Sequence, residues 1–131
     1  MMCRWEKIAE FKWLPKKQSL ELRRNARNLS VIGNKIRLGI LYLLYSKKEK
    51  LSFSEIAEKM TLSENRSKLA YHMLLLKKEN FVDNEVRMDD KKGKSFSFYG
   101  LTEKGKKTID ILEQMTEDLE ENEKKLDEVF K

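Results

Sequence analysis

A chain of 131 residues with 40% apolar and 38% charged side chains can bury one modest core and must keep much of its surface wet, which excludes a disordered polyelectrolyte. The net charge of +6 hides an asymmetry: 22 Lys and Arg stand against 12 Asp and Glu up to Thr102, and 6 against 10 from Glu103 onward, the outline of a polyanion binder with an acidic tail. No stretch approaches the ~20 apolar residues of a membrane span; the single cysteine, Cys3, rules out an intrachain disulfide and fits a reducing, cytoplasmic setting; and Arg4, Glu6, Lys7 and Glu10 interrupt any signal-peptide-like run.

Residues 1–17 form an N-terminal segment carrying Trp5, Ile8, Phe11, Trp13 and Leu14 at an untidy helical period, closed by Pro15. A helix is expected over about 19–31, with Leu22, Ala26 and Leu29 on one face. Lys16, Lys17, Arg23, Arg24 and Arg27 make this region a basic arm, either a phosphate-tracking surface or the wet face of an amphipathic helix. Gly33 punctuates, and Asn34 can cap a helix over 35–46, where Ile36, Ile40, Leu43 and Leu44 recur at helical spacing. Residues 51–53 suit a short edge strand. Ser54 is expected to cap a brief helix to Met60 that buries Ile56, Ala57 and Met60. A turn over 61–65 leads to a helix over 65–79, whose Leu69, Met73 and Leu76 face inward. Asn80, tolerant of left-handed backbone, suits its C-terminus. The period then changes to two: strands over 81–88 and 95–99 flank a polar loop containing Gly93. Thr102 can cap a last helix reaching Phe130.

Short helix, turn and longer helix followed by a two-stranded hairpin is the order of a winged helix-turn-helix. The fold class expected is therefore mainly α with a small β component: a DNA-binding unit over 18–101 and a long C-terminal dimerisation helix over 102–131. From about Leu29 to Lys107 the runs IGNKIRLGILYLLY, LSFSEIAEKM, KLAYHMLLLKKENFV and YGLTEKGKK resemble the ArsR-like winged-helix transcriptional regulators, with MarR-like and PadR-like regulators as neighbouring possibilities. The resemblance implies a cytoplasmic, nucleoid-associated prokaryotic protein that binds double-stranded DNA as a homodimer paired through terminal helices. Two departures stand out. Leu74 and Leu75 occupy positions where the family usually has exposed polar residues, and Asn80 replaces the usual Gly.

A major groove admits one helix and displays readable base edges. On the 65–79 helix, Asn65, Arg66, Ser67, Lys68 and Tyr71 lie on or near the outer face of the N-terminal half. Arg66 or Lys68 could pair with guanine, and Asn65 with adenine or phosphate. Ser54 sits at a helix N-terminus, where phosphates bind. Arg87, Lys91, Lys92 and Lys94 crowd the wing tip, where they would position DNA rather than read it, and Asp89 and Asp90 partly cancel them. On the last helix Leu112, Met115, Leu119, Asn122, Leu126 and Val129 recur at spacings of three and four, a heptad seam for a second copy; Asn122 is a polar register device.

One Cys and one His, far apart, fall short of the clustered ligands a transition-metal sensor needs, and the paired cysteines of ArsR metal sites are absent. His72, beside Leu69, Met73 and Leu76, reads as a partly buried, hydrogen-bonded histidine. No nucleophile–base pair or Gly-rich phosphate loop points to catalysis, and no cofactor is expected. A small-molecule effector is left open. The rival readings are a non-specific architectural DNA binder, which would show steep salt dependence, and a protein-binding winged helix using Trp5, Trp13, Leu74 and Leu75, residues read here in preference as part of the dimer core, with the 1–17 segment in the dimer interface.

Overall fold

The computed structural model describes residues 11–89 and 93–129. Its elements run α1 (Lys16–Ile32), α2 (Lys35–Ser46), β1 (Leu51–Ser52), α3 (Phe53–Lys59), α4 (Arg66–Lys78), β2 (Val82–Asp89), β3 (Lys94–Leu101) and α5 (Glu103–Val129). The described residues are thus mainly helical, with one three-stranded antiparallel sheet in the order β1-β3-β2.

Local chemistry accounts for most of the element ends. Pro15 stands immediately before α1, which begins at Lys16 rather than near Ser19; a proline at a helix start has its φ already set and no amide proton to lose. Asn34 caps α2, its side-chain oxygen accepting from the N–H groups of Ile36 at 3.0 Å and Arg37 at 3.1 Å. The cap of α3 is Ser52, not Ser54: the Ser52 hydroxyl accepts from the Glu55 N–H at 3.1 Å. Pairing of Leu51 with Tyr99 and of Ser52 with Phe98 ends the strand at Ser52, so the helix starts directly after it.

Two helices end in the same way. After α4, Asn80 takes φ +63°. Its N–H reaches the Lys77 carbonyl at 3.0 Å, and the Phe81 N–H reaches Leu76 at 2.9 Å. After α3, Thr61 takes φ +56°. Its N–H bonds Glu58 at 3.2 Å, and the Leu62 N–H bonds Ala57 at 2.7 Å. Both are Schellman closures, which satisfy the last helical carbonyls through one left-handed residue. Asn tolerates that backbone; a β-branched Thr does not, so the helix-turn-helix turn carries strain.

The core lies where α2, α3, α4 and the start of α5 meet the sheet. Ile40, Leu41, Ile56, Ala57, Leu69, Leu76 and Ile109 are fully buried, with Phe81 and Val82 almost so. Each large aliphatic side chain contributes roughly 1.5–3 kcal/mol on burial. Met60, Ile36 and Leu43 pack only partly against this core. The apolar face expected on α1 does not pack inward: Leu22 and Leu29 are exposed, and Val31 and Ile32 alone among its apolar residues are buried. The second hairpin strand is longer than expected and the first is displaced by one residue, because β2 and β3 stay paired from Val82–Leu101 out to Asp89–Lys94.

Candidate nucleic-acid interface

α4 divides cleanly by exposure. Leu69, His72, Met73 and Leu76 are buried, while Asn65, Arg66, Ser67, Lys68, Ala70, Tyr71, Leu74, Lys77 and Lys78 are exposed. Within the exposed set, Ser67, Tyr71, Leu74 and Lys78 follow at spacings of three and four, so they form the outermost stripe. The helix contains no acidic residue, and its last turn carries Lys77 and Lys78.

The residues expected to read bases are not equally available. The Asn65 side-chain oxygen caps α4, accepting from the Lys68 N–H at 3.4 Å. The Arg66 guanidinium donates to the Ser54 hydroxyl at 3.2 Å and lies 5.0 Å from the Phe53 ring centre. It therefore ties the two helices of the helix-turn-helix unit together and brings Ser54 beside α4. Ser67, Lys68 and Tyr71 stand exposed.

On the wing, Arg87 lies 4.3 Å over the Phe98 ring and 3.4 Å from the Glu85 carboxylate, which also meets Lys50 at 3.6 Å. Arg87 is thus a half-exposed part of the hairpin surface rather than of its tip. Lys94 is exposed at the start of β3, and Lys91 and Lys92 lie outside the described residues. Val86 and Met88 are exposed on the opposite face of the hairpin, a feature the sequence reading missed.

His72 is buried beside Arg37, whose NH1 donates to Nδ1 at 3.0 Å, while Arg37 Nε donates to the Val31 carbonyl at 2.6 Å. A guanidinium can only donate, so Nδ1 accepts and the ring is neutral with its proton on Nε2. Burial pushes the His72 pKa below its ordinary value, and the positive charges of Arg37 and Lys68 push the same way. Arg37 thereby joins the end of α1 to the back of α4.

The start of α5 forms a second link to α4. The Thr102 hydroxyl accepts from the Gly105 N–H at 3.1 Å and donates to the Asn80 carbonyl at 2.7 Å. Lys104 Nζ donates to the Glu79 carbonyl at 2.7 Å and to Asn28 Oδ1 at 2.9 Å, and sits 4.4 Å from the Phe81 ring centre. A Cβ on Gly105 would meet the Phe81 carbonyl oxygen closer than real side chains ever come. The run LTEKGK is therefore a clasp between the end of the outer helix and the long C-terminal one. Sequence reasoning found its Thr cap and missed Lys104 and Gly105, although a glycine in a first helical turn is itself a signal of close approach.

Only Gly105 and Ile109 of α5 are buried, and every residue from Glu113 to Val129 is exposed. Leu112, expected in the dimer seam, packs partly against the body's own core. Met115, Leu119, Leu126 and Val129 are 55–73% exposed, and Ile111, outside the expected seam, is 62% exposed beside them. Asn122 is also exposed. An apolar cleft of about 630 Å³ runs between α1 and α5, with Leu29, Ile32, Ile111 and Met115 on its walls. Tyr45 braces α2 on α5 by donating to Asp110 at 2.6 Å; that bond, partial burial and the Asp110 and Glu113 charges push its pKa up to about 12. Among the described residues, no cluster of three or more His, Cys, Asp or Glu is placed to hold a metal ion, and no helix is long and apolar enough to cross a membrane.

No curated protein matches the chain. Among solved structures, the transcriptional regulator HlyU from Vibrio vulnificus CMCP6 is 25% identical, with 76% of this chain and 95% of HlyU covered and a TM-score of 0.57. The homodimeric winged helix-turn-helix DNA-binding domain Mb0332 from Mycobacterium bovis, described as a possible ArsR-family transcriptional regulator, is 20% identical, with 82% and 91% covered and a TM-score of 0.58. MepR from S. aureus, in a complex with DNA, is 14% identical, with 82% and 86% covered and a TM-score of 0.61. The fold is thus the winged helix-turn-helix, shared with transcriptional regulators. The model of a family described as a domain of unknown function (DUF7347) matches residues 25–112, two thirds of the chain and the whole of α2 through β3, and the protein belongs to that family.

Proposed function

We propose that the protein is a sequence-specific double-stranded DNA-binding transcription regulator that acts as a homodimer, with α4 in the major groove and the hairpin on flanking backbone or minor groove. The observation that carries this reading is the outer surface of α4: exposed along its length, free of acidic residues and basic at both ends through Arg66, Lys68, Lys77 and Lys78. Such a helix suits a groove walled by phosphates. Ser67 and Tyr71 face the bases, Lys68 holds the flanking backbone, Ser54 and Arg66 brace the unit at its edge, and Lys91, Lys92 and Lys94 position the wing. The solved complex of MepR with DNA, on the same fold, supports the docking.

The dimer rests on α5. Its 27 residues span about 40 Å, and among the described residues nothing covers its apolar stripe beyond Leu112. Met115, Leu119, Leu126 and Val129, joined by Ile111, are the residues a second copy would bury, with Asn122 fixing register. The homodimeric state of Mb0332 supports it. Two-fold symmetry would then set half-sites about one helical turn apart on a roughly palindromic operator.

The test is fluorescence anisotropy with a duplex from the gene's own upstream region and a scrambled duplex, at several salt concentrations. A preference of ~10³-fold or more is the expected result. Lys68→Ala should weaken both duplexes and reduce the salt slope by about one. Equal, salt-steep binding to both duplexes would replace this reading with an architectural one. No binding to either at low salt would refute it and leave α4 as a protein-docking surface.

A further inference from the structure

The outer stripe of α4 is unusual for a helix meeting base edges, because its centre is apolar. Tyr71 is 57% exposed and Leu74 is 64% exposed, and Ala70 stands exposed beside them. The polar groups that would ordinarily read purines are engaged elsewhere: Asn65 in capping α4, and Arg66 against Ser54 and Phe53. Lys68 is a flexible point charge suited to phosphates rather than to a single base.

In the major groove only one base presents an apolar group, the C5 methyl of thymine. Lys68 at one end of α4 and Lys77 and Lys78 at the other supply the charge that holds two flanking backbones. The apolar centre then lies over base edges, not over phosphates. Tyr71 and Leu74 are three residues apart, about 4.5 Å along the helix axis, close to the 3.4 Å rise between successive bases. Two side chains can therefore address neighbouring base pairs.

We propose that Tyr71 and Leu74 read thymine methyl groups, so that the preferred half-site carries successive A·T pairs whose methyls face α4. This rests on the regulator reading above and names the chemistry by which it selects its sequence. Lys68, Lys77 and Lys78 set the position of the helix, and the apolar pair sets which bases it accepts.

The experiment starts from a pool of random 30-base-pair duplexes enriched by binding to the full chain. The best duplex is resynthesised with deoxyuridine in place of every thymidine, which removes the methyls and leaves all hydrogen-bonding groups unchanged. On the scale of a buried methylene, each lost methyl contact weakens binding about fourfold, so loss of two should weaken it about fifteenfold. Leu74→Ala, at an exposed position the fold does not use, should bind the thymidine duplex more weakly and shrink the thymidine-to-deoxyuridine ratio to about fourfold. Lys68→Ala should weaken both duplexes alike and keep the ratio.

Equal binding of wild type to the two duplexes would overturn the proposal while leaving DNA binding intact. So would a Leu74→Ala variant with an unchanged ratio, since the deoxyuridine effect would then come from duplex shape. Failure to enrich any duplex, with no binding at low salt, would remove the regulator reading as well and assign the Tyr71–Leu74 face to a protein partner.

Discussion

Gly105→Ala is the sharpest available test of how α5 is held on the body. A methyl group there would collide with the Phe81 carbonyl oxygen and would also press on the Leu101 side chain at 3.1 Å. The carbonyl cannot retreat cheaply, because the Thr102 N–H bonds it at 3.2 Å and the Thr102 hydroxyl holds its neighbour Asn80. Relief must come from lifting α5, which would disturb Lys104 and the fully buried Ile109. Overpacking of this kind costs about 1–3 kcal/mol, and cap and ammonium bonds lost with it add about 1 kcal/mol each. Alanine returns up to about 1 kcal/mol through helix propensity. The net expectation is a loss of about 2–4 kcal/mol, a Tm lower by roughly 7–15 °C for a chain of this size. Thermal unfolding followed by circular dichroism at fixed protein concentration reads it. Gly100→Ala is the control, since its methyl would meet only the flexible Lys50 side chain; it should change stability by less than about 0.5 kcal/mol. An unchanged or raised Tm for Gly105→Ala would show that α5 does not start against Phe81.

Three further outcomes are expected. Thr61→Gly should raise stability by about 1 kcal/mol in the same unfolding assay, because glycine takes the left-handed backbone of the helix-turn-helix turn without a side-chain penalty; a loss of stability would mean that the Thr61 hydroxyl bond to the Met60 carbonyl outweighs the strain. His72 is neutral when folded, with its pKa held below the ordinary 6.5 first by burial and then by Arg37 and Lys68. The unfolded chain therefore takes up a proton that the folded chain refuses, so stability should be level above about pH 6.5 and fall as the pH drops from there towards the folded pKa. His72→Gln should flatten that slope, and an NMR titration placing the His72 pKa above 6.5 would contradict the sign. Leu119→Glu should shift the proposed dimer towards monomer in sedimentation velocity and cost DNA affinity while leaving the circular dichroism spectrum intact.

Period and punctuation carried the sequence reading a long way. Leu69, Met73 and Leu76 are buried on α4 as their spacing requires, and Asn80 adopts the left-handed cap its side chain favours. What escaped was decided by partners distant along the chain. Ser52 and Ser54 are both competent caps; the choice fell to Ser52 because strand β1 ends where it stops pairing with β3, about 46 residues away. Leu22 and Leu29 have the spacing of a core face, but an amphipathic period says only that a stripe exists and not what covers it. Arg66 reads as an exposed base at the start of a helix until Ser54 and Phe53, folded back against it, show where its guanidinium goes.

The same contacts explain why the proposed readout face and the proposed dimer helix need not act separately. Lys104 is on α5, yet its ammonium bonds the closing carbonyl of the α4 turn and the Asn28 side chain of α1. Arg37, on α2, bonds the end of α1 and the His72 ring on the inner face of α4. The outer helix is therefore gripped at its C-terminal end and along its back by two cations that also hold α1. The apolar cleft between α1 and α5 opens directly onto Lys104 and Phe81. A change in the angle between those two helices must pull on Lys104, and the α4 turn is what Lys104 holds. Lys104→Met, which keeps the stem and removes the ammonium, separates this linkage from simple packing. It should leave the fold standing, lower stability by about 1–3 kcal/mol as the Glu79 carbonyl loses a charged donor, and weaken DNA binding more than the salt slope explains. A variant that lost stability but kept full affinity would show that α4 holds its angle without α5.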